Sequence, residues 1–175
     1  MTTTEKLTGE RADLLESLTK QRFFLKFTAR EMSEEQIRQH STVSQLTLGV
    51  LIKHVTDMER QWVSFILEGP SAIGDFGDEL TPEQIAAWAA GWELAEDVTL
   101  ADLIAEYDKV AARTDELIAS IDLDASHPLP RAPWFQPGSQ WSARRVLMHL
   151  VAETAQHAGH ADIIRESIDG AKSMG

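Results

Sequence analysis

The sequence predicts an all-α protein, a four-helix bundle with long connections. Apolar residues recur at helical spacing in four long segments, and clusters of glycine and proline separate these segments. No stretch of the chain alternates apolar and polar residues convincingly enough to indicate a strand. Long amphipathic helices with connections of medium length pack into bundles, and 175 residues suit a single domain spanning residues 1–175.

The first two long helices are predicted at residues 5–30 and 43–67, with a polar interruption at residues 33–42. The second helix ends before Gly69-Pro70, a strong helix breaker, and the glycine- and acid-rich residues 71–80 are predicted to form a loop. Its apolar face contains Val50, Leu51, Met58, Trp62 and Phe65.

A short helix is predicted after Thr81, where proline and glutamate occupy the first turn, and it carries Trp88 and Trp92. Thr99 marks the start of the third long helix, which continues to residue 121. The prolines of residues 122–140 exclude a regular helix there. Ser142 caps the last long helix, which ends near Gly170.

Composition excludes several classes of function. The formal net charge of −12 disfavours binding to nucleic acid or to anionic lipid, because both require clustered Lys and Arg. The chain has no cysteine, so it has no disulfide, no thiolate nucleophile and no Cys-ligated zinc. The sequence shows no signal peptide and no apolar run of about 20 residues, so we expect a cytoplasmic protein without a membrane partner.

The residues with the strongest chemical signal are three histidines and a glutamate in the last helix. With His149 at zero on a helical wheel, Glu153 falls at about 40°, His157 at about 80° and His160 at about 20°. Val146 and neighbouring aliphatic residues share this stripe, so the ionisable groups lie on the apolar face. Such groups are rarely buried without a partner, and a bound cation explains them most simply; a buried hydrogen-bond network is the alternative.

Glu153 and His157 stand one helical turn apart, a spacing that lets one helix offer two ligands to an ion. His54 also lies within an apolar stripe and is the best candidate for the third ligand. Two nitrogens and a carboxylate favour Zn²⁺, with Ni²⁺, Fe²⁺ and Mn²⁺ as alternatives. Asp57 either orients the His54 imidazole or is a surface charge.

Two segments resemble the second- and fourth-helix motifs of the DinB-like superfamily: LGVLIKHVTDMERQW at residues 48–62 and WSARRVLMHLVAETAQHAGHAD at residues 141–162. The superfamily includes bacillithiol transferases and the mycothiol-dependent maleylpyruvate isomerase. The resemblance implies an up-down-down-up bundle with a divalent metal at one end of its core. Many members use three histidines; here His54 and His157 match the outer ligands, and Glu153 replaces the middle one, as in the mycothiol-dependent isomerase.

The resemblance implies a metal-dependent S-transferase or isomerase, with mycothiol as cosubstrate and a small electrophile as substrate. His149 or His160 would carry protons in that reaction, because imidazole titrates near neutral pH; both could also be ligands or hold the ligands in place. A metal-dependent hydrolase and a noncatalytic, stress-linked metal- or ligand-binding bundle are the alternatives, so whether the protein is an enzyme stays open. A homodimer is conceivable through the phenylalanines of the first helix, which are Phe23, Phe24 and Phe27.

Overall fold

Four long helices dominate the computed structural model, which describes residues 7–77 and 79–174. They are α1 (Glu10–Thr28), α2 (Leu48–Glu68), α4 (Leu100–Ser120) and α5 (Ala143–Asp169), and the short α3 (Pro82–Ala90) lies between α2 and α4 in the sequence. Single turns of 3₁₀ helix cover Gln36–Arg38 and Gly69–Ala72. The predicted, mostly helical architecture is confirmed.

The long helices share one hydrophobic core. Helix α5 packs against α1 and α2, and α4 packs against the same two helices. All four contribute fully buried side chains, among them Leu25, Phe65, Ile118 and Leu150. Burial of these apolar faces stabilises the helices more than their intrinsic propensities do. No helix in the described part of the chain is both long and apolar enough to cross a bilayer.

Side-chain caps set the helix starts, and they correct one predicted boundary. Helix α2 begins at Leu48 rather than at residue 43, because the Thr47 hydroxyl accepts a hydrogen bond from the Val50 backbone N–H. Upstream, the hydroxyls of Thr42 and Ser44 accept hydrogen bonds from backbone N–H groups two residues later, which favours turns over helix.

The other boundaries lie closer to the prediction. Thr81 and Thr99 form capping boxes, and the Ser142 side chain caps α5. The short α3 ends at Ala90, so Trp92 lies beyond it. Helix α1 ends at Thr28, two residues before the predicted end; residues 5 and 6, where the prediction began, lie outside the described residues.

A small antiparallel sheet corrects the prediction that the chain has no strand. Strands β1 (Ser126–Pro128) and β2 (Gln140–Ser142) pair so that His127 faces Trp141. Three residues are too few to show an alternating pattern, so the sequence carries little signal for either strand. His127 Nε2 donates to the Ile66 carbonyl at 3.2 Å, which joins this sheet to the end of α2. Strand β2 ends at Ser142, and α5 begins at the next residue.

A buried ion pair crosses the core, and the sequence analysis missed it. Arg22 of α1 is 4% exposed and Glu59 of α2 is 0% exposed, and the guanidinium donates to both carboxylate oxygens. Thr114 of α4 donates to the same carboxylate at 2.5 Å, and Asp115 accepts from Arg22 at 2.7 Å. Glu59 stands four residues after Val55, on the apolar face, and this position is the signal that could have revealed it.

Candidate functional site

Three side chains from two helices meet where α2 and α5 pack together. His54 comes from α2, and Glu153 and His157 come from α5. One nitrogen of each imidazole and one oxygen of the carboxylate lie within 4.8 Å of one another. The two imidazole rings are 4.8 Å apart at an interplanar angle of 74°, and His157 Nε2 lies 3.6 Å from Glu153 Oε2. The structure therefore brings together the three predicted ligands, which we call the histidine–glutamate cluster.

The cluster fits a divalent cation. The 3.6 Å between His157 Nε2 and Glu153 Oε2 is too long for a hydrogen bond, and the buried His157 Nδ1 has no hydrogen-bond partner among the described residues. A buried polar atom without a partner costs about 1–3 kcal/mol, so the polar groups gathered here are not explained by hydrogen bonding alone. Two imidazoles and one carboxylate form a donor set that suits Zn²⁺, Ni²⁺, Fe²⁺ or Mn²⁺ better than Ca²⁺ or Mg²⁺.

Burial favours the neutral form of the imidazoles of His54, His149 and His157. It lowers the pKa of His54, and a positive charge on His157 would lower that pKa further, whereas the Glu153 carboxylate opposes the shift. Burial is also the main cause that lowers the pKa values of His157 and His149. A neutral imidazole offers the nitrogen lone pair that a cation requires.

His149 and His160, the two predicted proton carriers, occupy different surroundings. His149 Nδ1 lies 3.8 Å from Glu153 Oε1, and its ring packs edge-on against Trp62 and Trp141 at 5.1 and 5.0 Å. The His160 ring lies 5.5 Å from that of His157, and its Nδ1 is buried without a partner among the described residues.

Trp92 contacts the cluster through a stacking interaction that the sequence did not indicate. Its ring lies parallel to the His54 imidazole at 4.3 Å, with an interplanar angle of 24°. The chain around Trp92 is anchored: Lys53 donates to the Gly91 carbonyl at 2.8 Å, and Arg38 donates to the carbonyls of residues 94, 95, 96 and 98. Trp92 therefore limits the rotation of the His54 ring.

Asp57 behaves as a surface charge. Its exposed carboxylate accepts a hydrogen bond from Arg60 at 2.5 Å and lies 3.5 Å from Lys53 Nζ. These ion pairs hold the carboxylate on the outer side of α2. Of the two interpretations of this residue, the structure favours the surface charge over a group that orients His54.

A cavity of about 650 Å³ opens beside the cluster, and His54, His149 and Glu153 line it. Parts of α2, α3 and α5 form its walls, together with Ile73, Phe76 and Leu80 from the predicted loop and with residues of the proline-rich segment at residues 128–141. Most of its surface is apolar, and the described residues that line it include six Trp or Phe residues: Trp62, Phe76, Trp88, Trp134, Phe135 and Trp141. We call it the aromatic cavity. Neither His157 nor His160 is one of the described residues that line the cavity.

Comparison with known proteins places the chain in a family. A family model described as mycothiol-S-transferase matches residues 13–170, which includes all three residues of the histidine–glutamate cluster. No curated protein matches the chain. Because the match covers nearly the whole chain, this protein belongs to the mycothiol-S-transferase family of the DinB-like superfamily.

Proposed function

We propose that this protein is a divalent-metal-dependent S-transferase that joins mycothiol to a small electrophile. The observation that carries the proposal is a histidine–glutamate cluster at the wall of a cavity large enough for a small molecule, in a member of the mycothiol-S-transferase family. The proposal includes an up-down-down-up order of the four long helices and a single domain, which the shared core supports.

His54, Glu153 and His157 would hold the cation, and Zn²⁺ is the ion we favour. A bound divalent cation favours the thiolate form of a thiol near neutral pH. The Trp92 ring holds the His54 imidazole in one orientation. Because burial lowers the pKa values of His54 and His157, both rings are neutral and available at physiological pH.

His149 would receive the thiol proton. Its imidazole lines the aromatic cavity, lies 3.8 Å from a Glu153 oxygen, and is neutral because burial lowers its pKa. A neutral imidazole within the cavity can act as a general base. His160, next to His157, would relay protons behind the cluster. The cavity's aromatic walls would exclude water and so protect a thiolate from protonation.

Three alternative functions would use the same site. An isomerase would add and then eliminate the thiol, and a hydrolase would use water in place of the thiol. The apolar cavity favours thiol transfer over hydrolysis, because it is suited to excluding water rather than supplying it. A noncatalytic metal-binding protein would fill the cluster but consume no thiol.

The test is thiol consumption by protein loaded with Zn²⁺, with mycothiol and a panel of electrophiles that includes a chlorinated aromatic acceptor. We expect turnover in the wild type, and its loss in Glu153→Gln because one of the three ligands then carries no charge. His40→Ala provides the control, since His40 is exposed in the connection before α2. Metal occupancy without thiol consumption, across the whole panel, would favour the noncatalytic alternative instead.

A further inference from the structure

Helix α3 forms part of the wall of the aromatic cavity. None of its nine residues is buried, although Gln84, Ala87 and Trp88 line the cavity. A helix on a globular protein normally buries one apolar face. Here that face borders the cavity, and the Trp88 side chain is left 66% exposed.

Trp134, in the proline-rich segment, is a second exposed tryptophan that lines the cavity. It is 57% exposed and packs against Phe76 and Phe135 with ring separations of 5.3 and 6.0 Å. Exposed tryptophans that line one cavity are typical of a surface that a ligand covers. The occupant should therefore present an apolar, flat surface to both rings.

The charges around the cavity restrict the occupant further. Glu153 is the one acidic residue among the described residues that line the cavity, and these residues include no Lys or Arg. Two arginines lie near the cavity without lining it: Arg131, on the proline-rich segment, is paired with Asp75 at 2.8 Å, and the Arg145 guanidinium lies over the Trp141 ring at 4.2 Å. A carboxylate placed between the tryptophans would lose water without gaining a cationic partner from the wall, which is costly.

The cavity volume allows room for a ring and part of a second reactant. A cavity of about 150 Å³ is enough to hold benzene, whereas this one measures about 650 Å³. A substituted benzene at the tryptophan end would therefore leave space beside the histidine–glutamate cluster for a thiol.

We propose that the electrophile is a neutral aromatic compound, whose ring lies between Trp88 and Trp134 and whose reactive carbon faces the cluster. The transfer step rests on the proposed function, whereas binding of the ring does not. With an aryl chloride, the thiol sulfur forms a bond to the ring carbon, the C–Cl bond breaks, and chloride leaves with the bonding electrons. The thiol proton passes to His149 and then to solvent.

The test uses two probes that share the dinitrochlorophenyl ring and differ in charge: methyl 4-chloro-3,5-dinitrobenzoate, which is neutral, and its free carboxylate, 4-chloro-3,5-dinitrobenzoate, which also lacks the ester methyl group. Their affinities are measured by calorimetry on metal-free protein, and their transfer rates on zinc-loaded protein, each divided by the uncatalysed rate. We expect the ester to bind more tightly by about tenfold or more, because the wall gives the carboxylate no counter-charge. Equal affinities for the two probes would overturn the inference.

Variants of the two exposed tryptophans locate the binding site. Trp88→Ala and Trp134→Ala should each weaken ester binding, and Trp88→Phe should retain most of it, because a flat ring remains. Ile163→Ala removes an equally exposed apolar side chain outside the cavity lining and should leave ester binding unchanged. Ester binding that survives both alanine variants would also refute the inference.

The outcomes separate this inference from the proposed function. Tight, charge-selective binding without any thiol transfer would support the inference of a neutral aromatic ligand and refute the proposed transferase activity. Transfer to the ester and to the carboxylate at equal relative rates would support the proposed transferase activity and refute the inference that the substrate is neutral.

Discussion

Replacing His157 with alanine should separate metal binding from folding. His157 lies in the middle of α5, is 8% exposed, and contributes one of the three candidate ligands. Two effects on stability oppose each other in the metal-free protein. The variant loses the packing of the ring, but it also removes a buried Nδ1 atom that has no partner among the described residues and costs about 1–3 kcal/mol. We therefore expect a small net change in the free energy of unfolding without metal.

The effect should be large when metal is present. At a free metal concentration of one hundred times the dissociation constant, binding to the native state adds about 2.7 kcal/mol to the free energy of unfolding. For a domain of this size, that corresponds to a rise in Tm of roughly 5–11 °C. His157→Ala should lose most of this rise, because His54 and Glu153 alone make a weak site.

The assay is a thermal melt with and without Zn²⁺, together with elemental analysis of protein purified without a polyhistidine tag. His40→Ala is the matched control, because His40 is exposed and lies outside the cluster; it should show the same metal-induced rise as the wild type. If His157→Ala keeps both the metal content and the rise in Tm of the wild type, the assignment of His157 as a ligand is wrong.

Three further predictions concern the buried ion pair, the histidines of the site and Trp92. Glu59→Ala should lower the free energy of unfolding by about 3 kcal/mol, the low end for a broken buried pair, because Asp115 still pairs with Arg22; chemical denaturation measures this, and the double variant Arg22→Met with Glu59→Leu should recover most of the loss. Acidification of the metal-free protein below about pH 6.5 should lower its free energy of unfolding, because the imidazoles of the unfolded state then bind protons, whereas the buried imidazoles have lowered pKa values and stay neutral. A pH series of denaturation curves tests this, and His54→Gln should weaken the pH dependence. Trp92→Ala should reduce metal affinity roughly tenfold by freeing the His54 ring, with Trp92→Phe close to wild type, as measured by competition with a chelator.

The fold was predictable wherever the signal was local. Threonine and serine caps at Thr81, Thr99 and Ser142 mark helix starts within one or two residues, because a cap depends on neighbours close in sequence. The start of α2 was predicted too early because Thr42 and Ser44 compete for backbone N–H groups, and the sequence does not show which hydroxyl prevails. The strands were missed because their pairing joins residues 126–128 to residues 140–142 across a proline-rich turn.

The candidate site was also predictable only where the signal was local. Helical periodicity placed Glu153 and His157 on one face, and the apolar stripe of α2 pointed to His54. Trp92 could not be found by periodicity, because it lies after α3 and reaches His54 through the packing of a loop. The Arg22–Glu59 pair was detectable in part, since Glu59 lies among apolar positions, but its partner comes from another helix.

The sequence by itself determined the helical character, the family motifs and the residue types that could bind a metal, because periodicity, caps and ligand spacing are properties of a single segment. Only the tertiary structure decided that His54 meets Glu153 and His157, that Trp92 stacks on His54, and that exposed tryptophans line a cavity beside them. These contacts join residues far apart in the chain. They depend on how helix faces and loops pack against one another, which no single segment encodes.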